Sequence, residues 1–156
     1  MLRQNEIIFG HCSDLERPVL REAFKWVQSH WSASQMVDRN EINAPALAPY
    51  IRHASLFKLV IEHGVVKDYH ASVLASHIAD NIKEISGKSG KCTLPAELFE
   101  RWRITAQHLI ELRRPFRTRT KVFGKEHKEG ESLVVPVSQH DELSHALVFT
   151  EYWLED

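Results

Sequence analysis

Cysteine is scarce in this chain: Cys12 and Cys92 are the only two in 156 residues, and no C-x-x-C spacing joins them. That excludes a disulfide framework or a cysteine zinc site and fits a reducing compartment. Glycine is sparse too, with six in all. None of these falls in a G-x-G-x-x-G, a phosphate-cradling loop or a G-x-S-x-G, so nucleotide-dependent and serine-nucleophile chemistry lack their usual signatures. No apolar run approaches the length of a bilayer span, and the opening MLRQNEIIFGHCSD lacks the basic-then-apolar build of a secretory signal. The expectation is a cytoplasmic protein without a membrane partner. A formal net charge of -1 supplies no electrostatic footprint for nucleic acid.

What is present is an ordinary globular composition, 43% hydrophobic and 26% charged, in a chain of a length suited to one domain over 1–156. The most legible stretch runs from Pro95 to Trp153. Pro95, Glu97 and Glu100 mark a helix start, Arg113 and Arg114 mark its end, and Pro115 stops it. Leu98, Phe99, Trp102, Ala106, Leu109 and Ile110 form its apolar stripe, while Glu97, Arg101, Gln107 and Glu111 face elsewhere. Three strands are expected after it, Phe116 to Phe123, Ser132 to Ser138 and Ser144 to Trp153, each rich in β-branched or aromatic residues. Earlier in the chain, Ala54 to Ile61 and Lys67 to Leu74 read as a hairpin turned at Gly64, and Ser76 caps a short helix bearing Ile78, Ile82 and Ile85. Ser13 or Asp14 is expected to cap a first helix, 13–31, whose Leu20, Phe24, Val27 and Trp31 make an apolar stripe. Such a stripe either packs on its own domain or meets a second copy of the chain.

Ten histidines raise the question of a metal or haem. His63, His70 and His77 are evenly spaced but straddle a hairpin and a helix start, and no H-x-x-x-H pair or acidic ligand cluster accompanies them. No haem, flavin or zinc is expected. Arg117, Arg119 and Lys121 alternate on a strand and share one face. They read as a solvated outer face guarded against edge pairing, or as a site for an anion or acidic partner. Later acids, Glu129, Glu131, Glu151 and Glu155 among them, are placed to neutralise that field internally.

The order of two strands, short helices, a long helix and three strands is similar to the PAS sensory fold. Three segments resemble a subfamily of small single-domain bacterial PAS proteins: Arg39-Asn40-Glu41-Ile42-Asn43-Ala44 after an aromatic helix, Tyr69-His70-Ala71-Ser72-Val73-Leu74-Ala75-Ser76 at a strand end, and Leu133-Val134-Val135-Pro136-Val137-Ser138. Asn43-Ala44 stands where that subfamily has Asp-Pro, His70 where an arginine is usual, and Ala75-Ser76 where Gly-Thr is usual. The resemblance implies an α+β fold with a five-stranded antiparallel sheet, helices on one face and a core over about 54–153. It also implies a sensor rather than an enzyme, one that binds a small ligand and signals by protein association.

The ligand expected is small and mainly apolar, held between sheet and helices by Tyr69, Ser76, Trp102 and His70, with strand alternation favouring Tyr69 over His70. Leu20, Phe24, Val27 and Trp31 are the candidate homodimer contact, and a signalling protein of unknown identity is the downstream partner. Two alternatives stand beside this reading. One is an interaction or dimerisation module whose interior is filled by Phe57, Trp102, Leu109 and Phe149. The other is a small α+β enzyme with a buried histidine and carboxylate in the cup.

Overall fold

Every residue from Leu133 to Val137 is buried, although successive strand residues point to opposite sides. The strand that carries them must therefore be covered on both faces. The computed structural model describes residues 2–155, with Glu126 described through its backbone alone. The elements are β1 (Ile7–Gly10), α1 (Pro18–His30), β2 (Val37–Asp38), α2 (Ala44–Leu47), β3 (Ala54–Glu62), β4 (Val65–Val73), α3 (Ser76–Asn81), α4 (Gly90–Thr93), α5 (Ala96–Leu112), β5 (Phe116–Val122), β6 (Lys125–Gln139) and β7 (Glu142–Leu154). They form an α+β fold around a predominantly antiparallel open sheet ordered β1-β5-β6-β7-β3-β4.

The sheet has seven strands rather than the expected five. The short β1 adds an edge beyond β5, pairing Ile7 with Thr120 and Gly10 with Arg117. β5 leaves β6 at Phe116–Val134, and β2 takes the vacated edge further along, running parallel with Val37 beside Val137. Two-residue turns close two of the hairpins. His63 and Gly64 have φ of 51° and 75°, and His140 and Asp141 have 54° and 65°, the paired left-handed conformations that match strand twist.

Helices cover both faces, where one face was expected. On one side α5 buries Leu98, Ala106 and Leu109 against Phe57, Leu59, Tyr69, Val134 and Ala146. On the other, α1 buries Leu20, Ala23 and Val27 against Leu56, Leu133, Val135, Leu147 and Phe149. Leu20 and Val27 retain no exposed surface, so this half of the proposed dimer stripe packs on the chain's own sheet; burying each is worth about 1.5–3 kcal/mol. Phe24 and Trp31 are half-buried at its margin, their rings edge-on at 5.9 Å. The helix begins at Pro18 rather than near Ser13. Cys12–Asp14 instead form a 3-10 turn, in which the His11 amide donates to Asp14 Oδ2 at 2.9 Å, and Arg17 is the residue before the first helical turn.

Candidate functional site: a hydroxyl-lined cavity beneath an unpaired arginine

Strand register builds one wall of the site. Thr118 on β5 stands opposite Ser132 on β6, and Ser132 opposite Thr150 on β7, so three hydroxyl side chains make a row across three strands on the α5 side of the sheet. Ser132 Oγ and Thr150 Oγ1 are 2.8 Å apart. The next row is Thr120, Gly130 and Tyr152. A side chain at Gly130 would start 2.6 Å from Cδ1 of Tyr152, so the absence of a Cβ lets that ring lie across the strand.

The facing wall comes from α5 and the β3–β4 hairpin. Phe57 meets Tyr69 and Trp102 with ring centroids 5.9 Å away in both cases, and Tyr69 stacks on Phe99 at 5.2 Å. The Tyr69 hydroxyl donates to the Phe99 carbonyl at 3.1 Å. Tyr69 is itself seated on a glycine, since a Cβ at Gly90 would fall 2.5 Å from its ring. Asp68 fixes that approach by accepting from the Ser89 hydroxyl and, at 3.0 Å, from the Lys91 amide. Between the walls lies a cavity of about 80 Å³, lined by Phe57, Tyr69, Trp102, Val148 and the hydroxyl residues among others. Ligand clefts for drug-sized molecules usually exceed ~300 Å³, so the space suits a molecule of few heavy atoms.

Arg101 of α5 also lines this cavity. It is only 6% exposed, and its Nη1 donates to the Gln4 carbonyl at 3.0 Å. Its Nε has no partner, and among the described residues it makes no ion pair. Desolvation by burial holds its pKa below the usual value, because taking a charge out of water disfavours the charged form. Burial likewise pushes the Tyr69 and Tyr152 phenols upward, so both remain neutral donors. Among the described residues, no histidine or carboxylate lines this cavity.

Two of the four expected ligand contacts reach this cavity. Tyr69 and Trp102 line it; His70 and Ser76 do not. His70 follows Tyr69 in β4 and so points to the other side, pairing in register with Lys58. Ser76 is exposed as the first residue of α3, and the same helix contributes Ile78 to the lining instead. The residues missed were Arg101 and the hydroxyl row. Arg101 and Thr105 lie three and seven positions after Leu98, on the buried stripe of α5, and that spacing was the available signal.

The opposite face of the same strands is saturated with charge pairs. Arg117 Nε donates to Glu131 Oε2 at 2.9 Å, and Arg119 Nη2 to Glu129 Oε2 at 2.9 Å. Glu131, fully buried, also accepts from the Glu16 and Arg17 amides at 3.1 and 2.9 Å, satisfying backbone donors at the start of α1. Lys121 pairs with Glu155 at 2.5 Å. The basic run is thus internally neutralised, and β1 covers the edge it was expected to guard.

Other chemistry is sparse. Burial and the neighbouring Asp14 push the Cys12 thiol up to about 12, which removes thiolate reactivity at neutral pH. Among the described residues no group of three or more histidine, cysteine, aspartate or glutamate side chains is placed to hold a metal. No helix among them is long and apolar enough to cross a membrane. A more open depression of about 330 Å³ beside Ile82, Cys92 and Phe123 has no orphaned buried polar atom aimed into it.

No family model, curated protein or solved structure matches the chain.

Proposed function

We propose that this protein is a PAS-type sensory module that takes a small molecule between α5 and the sheet and reports its occupancy through association with another protein. The observation that carries the reading is the cavity itself: about 80 Å³ of space between the long helix and the sheet, walled by Tyr69 and Trp102. The five strands that the resemblance counts are contiguous in the sheet as β5-β6-β7-β3-β4, which supports the family reading without resting on any one motif. Half-buried Phe24 on α1 and Trp31 just past its end offer an apolar margin through which association would be read out.

The test is a thermal-shift screen of metabolites and lipids on the wild type and on Trp102→Ala. A ligand at a hundred times its dissociation constant stabilises the native state by about 2.7 kcal/mol, a readily measured shift. The reading stands if a compound shifts the wild type and the variant loses the response. The interlocked rings of Phe57, Tyr69, Phe99 and Trp102 favour one second reading, an interaction module with a filled interior. That reading takes over if no compound shifts the wild type.

A further inference from the structure

We infer that the cavity is a receptor for a small organic carboxylate, whose anionic end is held by Arg101 and the Thr118–Ser132 hydroxyl row. This rests on the ligand-binding reading above and gives it a chemical class. The reasoning starts from charge. A guanidinium stays protonated in proteins, and burying one without a counter-charge is costly unless something neutralises it. On the opposite side of this sheet the buried cation Arg117 has Glu131 at 2.9 Å; among the described residues Arg101 has only a backbone carbonyl, and its Nε is unpartnered.

The groups around Arg101 are complementary to an oxyanion. Among the described residues the Thr118 and Thr120 hydroxyls make no hydrogen bond, so each has a proton to donate. Ser132 and Thr150 share one hydrogen bond between two hydroxyls, which leaves a second proton free for a ligand. Arginine presents a planar fork matched to carboxylate. Apart from Thr105, Tyr69 and Tyr152, the rest of the lining is apolar, with Phe57, Trp102 and Val148 among it. A hydrocarbon chain fits against these, whereas a fully hydrated inorganic anion does not. The volume confines that chain to a few carbons.

The test uses the full chain and isothermal titration with carboxylates from acetate to hexanoate, with butyramide as the neutral isostere of butyrate, and with inorganic phosphate. At least one carboxylate is expected to bind, with the matched amide weaker by about tenfold or more, the worth of a charge-assisted hydrogen bond, and phosphate not binding. Arg101→Met, checked for folding by circular dichroism, should lose carboxylate binding; Thr118→Val should weaken it with the fold intact, so the inference stays testable if the arginine variant fails to fold. Equal binding of butyrate and butyramide overturns the inference while leaving a neutral-ligand sensor in place. Preference for phosphate, or carboxylate binding that survives in folded Arg101→Met, also overturns it. If the whole panel is silent the inference falls, and the Trp102-dependent screen then decides separately whether the sensor reading falls with it.

Discussion

The two faces of the β5–β6–β7 sheet are built from alternate residues of the same strands, yet they treat charge in opposite ways. On the α1 side, Arg117, Arg119 and Lys121 each meet a carboxylate, and Glu131 accepts from both an arginine and the Glu16 and Arg17 amides just ahead of the helix. On the α5 side, hydroxyls replace the charges, and among the described residues buried Arg101 has no carboxylate beside it. A face whose cations are each paired with a carboxylate is a structural device, even though Arg119 Nε there has no partner of its own. On the other face, the buried Arg101 that lines the cavity has among the described residues no carboxylate partner.

That contrast is broken most sharply at Glu131. Glu131→Ala should destabilise the fold by about 3–5 kcal/mol, because it leaves buried Arg117 with only the longer contact to exposed Glu16 at 3.4 Å; urea unfolding measures it. A cost under about 1 kcal/mol, the scale of a surface pair, would mean the pairing is incidental. Leu20→Ala should follow, at about 2–5 kcal/mol for a fully buried leucine. Its unfolding midpoint should not depend on protein concentration if the stripe packs within the chain; a concentration-dependent midpoint would return Leu20 to an interface between copies.

Arg101→Met probes the other face and is expected to differ in sign. Exchanging an unpaired buried cation for an apolar side chain should leave stability unchanged or raise it, by up to about 1–4 kcal/mol. A loss comparable to that of Glu131→Ala would place Arg101 among the structural charges and dissolve the contrast.

The smallest effect expected is on acid sensitivity. Burial, then His53 and Arg52, lower the His77 pKa, and burial, then Arg39 and Lys58, lower that of His145. For a base whose folded pKa lies below its unfolded value, the unfolded state binds more protons as pH falls. The stability contribution is therefore complete above about pH 6.5 and declines as pH drops through the lowered folded values. Urea midpoints for wild type, His77→Gln and His145→Gln between neutral and mildly acidic pH check this: the variants should lose less stability on acidification, and parallel slopes would refute it.

Legibility in the sequence followed the same division. α5 was readable because Pro115 and the spacing of Leu98, Trp102, Ala106 and Leu109 are local signals, and its end is fixed by Arg113 in the left-handed region at φ 56°. Lys125–Glu131 lay outside the expected strands. It is the first half of β6 because Glu129 and Glu131 face arginines that the sequence places elsewhere, and pairing across strands leaves no apolar alternation to detect. β1 and β2 have four and two residues, too few for a periodic signal, and exist because a neighbouring strand has a free edge. The uninterrupted run Leu133–Val137 was the overlooked sign of two covered faces, since a half-exposed strand alternates. In the site, Tyr69 and Trp102 were found through their apolar period, and Arg101 was set aside because charged side chains are rarely buried without a partner.

Tyr69 and Tyr152 both line the cavity, and each rests on a glycine, Gly90 and Gly130, that lines none of it. The dimensions of the cavity are thus written partly in two missing methyl groups outside it. A single alanine at Gly130 would force the Tyr152 ring off β6 and reshape the chamber while every residue that lines it kept its identity. A substitution at either glycine would therefore alter the cavity behind an unchanged lining, and a comparison restricted to lining residues would miss it.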